Sequence, residues 1–172
     1  ADFAELELMQ STVNAAARRE AAMGVSLLTV HGYGGAAMVE AAVEGAGPST
    51  GILVVTVLTS LGGRDLGVAL GRDAPEIGSE VLRLAGMAVA ARAHGGVCSG
   101  AEVAAVRATY PRLSPLVPGI RLVAGEAHDQ ARVSTPEQAA EAGADYLVLG
   151  RAVTAAADPA AVLDGVLASL SV

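Results

Sequence analysis

Ala144-Asp145-Tyr146-Leu147-Val148-Leu149-Gly150-Arg151 closes the last apolar run of the chain, and its reading decides the fold. Tyr146 to Leu149 is continuously apolar, as a strand buried on both faces of a parallel sheet reads. The run stops at Gly150, where backbone can approach a ligand closely. Arg151 follows with a planar fork of donors suited to phosphate. In α/β barrels the loops after the last two strands commonly hold a phosphate. Two readings stand side by side: a phosphate-gripping corner of a barrel, or a strand end with a solvent-exposed arginine.

Working back, the same grammar recurs. Strand candidates are Val25–Val30 ending at His31-Gly32, Gly51–Leu58 ending at Thr59-Ser60, Gly95–Cys98 ending at Ser99, Leu113–Val117 ending at Pro118-Gly119, and Asp145–Leu149. Helical segments are expected at Ser11–Met23, Ala36–Gly45, Ala74–Ala93, Gly100–Thr109, from Thr135-Pro136-Glu137 to Gly143, and at Ala160–Leu170 behind Asp158-Pro159. Thr135 before Pro136 is the order of an N-cap and a first helical residue. Gly45–Gly51 and Leu61–Asp73 read as loops, the second as a connector or a lid. Alternating strands and helices point to parallel βαβ units. The fold class is α/β, a TIM-type (β/α) barrel, with a doubly wound open sheet as the alternative. Against the alternative, no Gly-x-Gly-x-x-Gly follows an early strand.

The 172 residues form one domain, residues 1–172. They are few for a full eight-stranded barrel, which typically takes about 250. The net charge of −7 argues against nucleic-acid and membrane-surface partners. All eleven cationic side chains are arginine; the chain has no lysine. The single cysteine, Cys98, fits a reducing compartment, and no apolar run approaches the length of a membrane span. The expectation is a soluble cytoplasmic protein. Its three histidines show no close ligand spacing, so no metal site is expected.

Singly, the polar residues at the strand ends are weak signals. In order they are sharper: Thr29-Val30-His31; Val55-Thr56-Val57-Leu58-Thr59-Ser60; Val97-Cys98-Ser99-x-x-Glu102; Pro118-Gly119-Ile120-Arg121; Asp129-Gln130-x-Arg132-Val133-x-Thr135-Pro136; and Ala142 to Arg151. From about Thr12 onward this series resembles the bacterial type of orotidine 5′-monophosphate decarboxylase. The resemblance implies a homodimeric α/β barrel without a cofactor that converts orotidine monophosphate to uridine monophosphate and CO₂ in pyrimidine biosynthesis. By the same resemblance Gln130, Gly150 and Arg151 bind the 5′-phosphate. Thr59 and the backbone of Ser99 read the pyrimidine, and Pro118 and Gly119 shape the wall. A related decarboxylase of sugar-acid phosphates keeps the barrel but uses magnesium; the Thr59 and Pro118 pieces favour the pyrimidine enzyme.

The chain departs from the family where the chemistry is done. The family carries Asp-x-Lys-x-x-Asp at the end of its third strand. Counting back from His31 puts those positions at Phe3, Glu5 and Leu8; sliding by one gives Asp2, Ala4 and Glu7. Neither register has a cation. The resemblance also implies two strands ahead of this motif, so the expectation is a barrel shortened to about six of eight strand-helix units. Three ways of closing the open edges stand: six strands closing with a narrower bore, two chains completing each other, or Ala1–Met9, which alternates weakly, pairing as an edge strand; self-association is the one expected. The functional expectation is a family member impaired in decarboxylation. The alternatives are a non-catalytic nucleotide- or phosphate-binding barrel and an engineered or truncated scaffold.

Overall fold

A computed structural model describes residues 2–73, 75–122 and 134–170, with side chains from Gln10 onward. Five strands pair in parallel in the order in which they occur: β1 (Leu27–His31), β2 (Gly51–Val55), β3 (Gly95–Val97), β4 (Ser114–Val117) and β5 (Tyr146–Leu147). A doubly wound sheet must reverse direction partway; one that never does has the winding of a barrel wall. The helices are α1 (Asp2–Ala22), α2 (Ala36–Ala46), α3 (Gly63–Leu70), α4 (Ile77–Ala90), α5 (Gly100–Thr109), α6 (Pro136–Glu141), α7 (Arg151–Thr154) and α8 (Pro159–Leu170).

The strands are shorter than their apolar runs. β3 offers only three residues to its neighbours, so the β2 ladder stops at Val55. Beyond it, the amide and hydroxyl of Thr56 both donate to the Val97 carbonyl, at 3.1 and 2.6 Å. β5 has a single partner, and its run continues past the ladder with Val148 N–H donating to Val117 O at 2.9 Å.

Side chains alternate between the faces of a strand. Leu28, Val30, Ile52, Val54 and Val117 share one face. There the core gathers Val54 and Val117 with Val39 of α2, Leu84 and Ala88 of α4, and Val103 and Val106 of α5, all nearly inaccessible. The other face carries Thr29, His31, Val55, Leu116 and Tyr146, which are exposed or half-buried. The sheet is therefore a wall padded by helices on one side and half-open on the other.

Two expectations are corrected. The shortened barrel wall stands, with five parallel strands among the described residues, but residues 2–9 do not pair as an edge strand: from Asp2 the chain is helical. Ala4-Glu5-Leu6-Glu7-Leu8-Met9-Gln10 consists of strong helix formers and runs without a breaker into the Ala-rich segment behind it. α1 seats Ala17 against Ala42, Ala46 and Ile52, and Asn14 Nδ2 donates to Ala41 O at 3.1 Å. Gly45 permits this approach: a Cβ there would stand 2.2 Å from Asn14 O.

The second correction is Leu61–Asp73, read as a loop but containing α3. Gly62, Gly63, Gly67 and Gly71 look like breakers, yet Leu66 is buried and Leu61 and Leu70 pack on the core, so burial overrides propensity. Glu80 of α4 pins this segment. It is 5% exposed and accepts from Arg72 beyond α3 at 3.0 Å and from Arg83 at 2.7 and 3.0 Å. Tyr33, from the turn after β1, also donates to it. The hydrogen bonds from Arg83, and next those from Arg72, outweigh burial and hold the carboxyl at about 2. Burial, then the Glu80 charge, pushes the Tyr33 hydroxyl up.

Elsewhere the helix ends follow the sequence signals. Thr135 Oγ1 accepts from Gln138 N and Gln138 Oε1 from Thr135 N, at 3.2 and 3.1 Å. Asp158 Oδ1 accepts from Ala161 N at 3.0 Å. α4 closes differently. Arg92 N donates to Val89 O and Ala93 N to Ala88 O, which puts Arg92 at φ +60°. Every other positive φ among the described residues belongs to glycine. A side chain in that left-handed region costs about 1 kcal/mol.

Two outcomes test this account. Gly45→Ala should lose about 1–3 kcal/mol in urea unfolding by driving Cβ into α1. Gly165→Ala in α8, where a Cβ meets nothing within 4 Å, should gain up to about 1 kcal/mol. For Glu80, a folded value of about 2 against 4.5 for the free group means stabilisation that is full above the free value and lost as pH falls towards 2. Glu80→Gln should therefore cost about 2 kcal/mol at pH 7. The gap from the unaltered chain should narrow in thermal melts between about pH 5 and pH 2.

Candidate functional site

Parallel strands in one sheet deliver all their C-terminal ends to one rim. His31 ends β1 there, exposed. Thr59 follows β2 and is buried at 7% exposed. Ser99 follows β3, Pro118 and Gly119 follow β4, and Gly150 and Arg151 follow β5. The structure thus sets the expected binding residues from Thr59 to Arg151 along a single edge, in strand order.

Ser99 is almost fully buried and turned into the first turn of α5. Its hydroxyl donates to Glu102 Oε2 at 2.5 Å, and its amide donates to the same oxygen at 3.0 Å. Its carbonyl accepts from Glu102 N at 3.1 Å. This is a capping box. A ligand edge reaching for the Ser99 amide competes with Glu102. Ser-x-x-Glu ahead of a helix is the sequence signal for such a box, and Glu102 is the rim residue that the sequence reading left without a role.

Pro118 and Gly119 are half-buried, and Gly119 has φ +74°. The left-handed turn redirects the chain so that Ile120, fully buried, bridges in parallel to Ser134. Arg121 N–H donates to Ser134 O at 2.9 Å. The Ile120–Ser134 bridge touches the turn after β3, since a Cβ on Gly100 would lie 2.6 Å from the Ser134 side chain. Gln130 lies outside the described residues.

Gly150 is exposed, and a Cβ built on it meets nothing within 4 Å. Its carbonyl accepts from Val153 and Thr154 N–H at 2.9 and 3.0 Å and so opens α7. Arg151 is the first residue of that helix and is exposed. The approach to β5 is clamped from behind by Arg107 of α5. Its guanidinium donates to Gly143 O at 2.7 Å and to Asp145 Oδ1 at 2.6 Å. Gly143 and Asp145 carry part of the family resemblance; Arg107, which holds them, escaped notice because its partners lie far along the chain.

Asp2, Glu5 and Glu7 do not join the rim as a strand end. They lie in the first turns of α1, a backbone unlike the strand terminus at which the resemblance expects acids and a lysine. Among the described residues no helix is long and apolar enough to cross a membrane.

Comparison with known proteins agrees with this geometry. An orotidine 5′-phosphate decarboxylase from Anaeromyxobacter sp. (strain K) is 50% identical over 171 residues, 98% of this chain and 74% of that protein. One from Thermobifida fusca is 48% identical, over 98% of this chain and 72% of the relative. The crystal structure of orotidine 5′-phosphate decarboxylase from Lactobacillus acidophilus superposes with a TM-score of 0.79 at 30% identity, covering 94% of this chain and 70% of that one. That of the Pyrococcus horikoshii enzyme gives 0.69 at 20% identity, which speaks for the fold alone. A sequence model described as the orotidine 5′-phosphate decarboxylase / HUMPS family matches residues 10–166, and the chain belongs to that family.

Proposed function

We propose that the rim binds the 5′-phosphate of a pyrimidine nucleotide, orotidine or uridine monophosphate, and that this chain decarboxylates orotidine monophosphate poorly or not at all. The observation that carries the binding half is Gly150-Arg151 at the C-terminal end of β5, with open space over Gly150. A bidentate guanidinium–phosphate contact is strong and directional. By the family resemblance Gln130, which lies outside the described residues, joins it; Thr59 and the Ser99 amide read the base, and Pro118 and Gly119 form the wall.

The catalytic half rests on charge. Loss of CO₂ breaks a C–C bond and leaves an electron pair on pyrimidine C6, which must then take a proton. A fixed cation beside that carbon stabilises the developing charge by several kcal/mol, with tenfold in rate for about 1.4 kcal/mol. The chain has no lysine. Arginine is a poor proton donor near neutral pH because its pKa exceeds about 12. The stretch that aligns with the family's charged motif, Asp2 to Leu8, is helical.

A homodimer belongs to the same proposal. β1 and β5 each have one strand neighbour, and the half-open face between them carries Val55, Leu116 and Tyr146. A second copy would cover edges that otherwise invite non-specific pairing. The cytoplasm is the proposed compartment, supported by a lone buried thiol.

Calorimetry with uridine monophosphate should show binding that Arg151→Ala weakens at least tenfold; no heat at millimolar ligand would remove the phosphate site. Following the absorbance of orotidine monophosphate should show no turnover above the Arg151→Ala background. Clear turnover would restore the chain as a working decarboxylase. Light scattering should return twice the chain mass, and a monomer would sink the dimer.

A further inference from the structure

The opposite end of the sheet holds a cavity of about 580 Å³ where the strands begin. Its polar lining is Ser26, Ser49, Thr50, Arg92, His94 and Tyr146. Leu27 and Ile52 supply apolar wall. Among the described residues no carboxylate lines it, although the chain carries 18 acidic residues against 11 arginines.

Arg92 is the residue that draws attention. The closure of α4 needs a left-handed residue, and glycine fills every other such position among the described residues. The sequence places an arginine here and accepts the strain, and strain of this kind is a pointer to function. The Arg92 guanidinium has no hydrogen bond or ion pair among the described residues.

His94 is held in place by its backbone. Its amide donates to Ile52 O at 2.9 Å, and its carbonyl accepts from Ser114 N at 3.2 Å. Its ring packs where Gly51 has no side chain: a Cβ on Gly51 would stand 2.9 Å from His94 Cγ. Its Nε2 lies 3.1 Å from Tyr146 Oη, with the two rings 6.0 Å apart and tilted. A guanidinium, an imidazole–phenol pair and the serines Ser26 and Ser49 thus line one space, while the buried Thr50 hydroxyl donates to Val25 O at 2.5 Å.

We propose that this cavity is a second ligand site, distinct from the rim, for a small phosphate monoester with an apolar ring. The guanidinium takes two phosphate oxygens. The Ser26 and Ser49 hydroxyls and the imidazole complete the shell, and the ring lies against Leu27 and Tyr146. A lone phosphate would leave most of the volume empty, so the ring-bearing ester is the better fit.

The probes are phenyl phosphate and inorganic phosphate, followed through the imidazole ¹⁵N shifts of His94, assigned with His94→Gln. Phenyl phosphate should move the His94 signals saturably, with half-effect at millimolar concentration or below, and more tightly than inorganic phosphate. Arg92→Gly keeps the left-handed turn in its easiest form, so its melting temperature without ligand should be unchanged or higher while the affinity falls at least tenfold. Arg151→Ala should leave the His94 response intact. The proposal is overturned if phenyl phosphate does not move His94, if it binds no more tightly than inorganic phosphate, or if Arg92→Gly responds like the unaltered chain. It is also overturned if Arg151→Ala abolishes the response, which would assign the effect to the rim.

Discussion

Parallel pairing in chain order governs this molecule. Each strand must return to the same starting level before the next can pair, and a helix makes the return. Once β1 to β5 pair without a reversal, their C-terminal ends share one rim and their beginnings share the opposite one. The rim collects Thr59, Ser99, Pro118, Gly119, Gly150 and Arg151, while Arg92, His94 and Tyr146 meet at the other end. Neither group is local in sequence. Both follow from the register Leu27↔Gly51, Leu53↔Gly95, Gly95↔Ser114 and Leu116↔Tyr146.

The asymmetry of the sheet is the second consequence. Helices cover one face, with Ile52, Val54 and Val117 wholly buried and Leu28, Val30 and Leu147 half-buried. The other face keeps His31 and Val148 exposed. In a closed barrel that face is interior and filled by side chains from the whole ring of strands. The five strands among the described residues form only an arc of such a ring.

Long-range polar clamps hold the connections steady. Glu80 gathers the turn after β1, the end of α3 and the body of α4 at one buried carboxylate. Arg107 fastens the end of α5 to the turn before β5. Glu102 locks the turn after β3 through both the amide and the hydroxyl of Ser99. Buried or half-buried carboxylates with full sets of partners restrict segments that hydrophobic contact alone would leave free to slide. The Glu80 and Glu102 clamps sit beside rim segments and preorganise them from outside, while the Arg107 clamp sits at the opposite end, where β5 begins.

Much of this was legible from residue order. The strand runs, the Thr135-Pro136 and Asp158-Pro159 helix starts and the family resemblance all rest on local patterns, because periodicity and capping are decided within a few residues. Three features were decided only in three dimensions. Ala1–Met9 alternates just enough to suggest a strand, yet from Asp2 it is helix, because a strand needs a partner while a helix satisfies its own backbone. α3 forms despite its glycines because Leu66 finds a buried seat. The strained Arg92 and the His94–Tyr146 pair become neighbours only through the sheet register. The sequence by itself determined the five strands, most of the helices and the family they belong to, since those depend on spacing along the chain. The tertiary structure decided which side chains meet, since only pairing between distant strands brings them within reach.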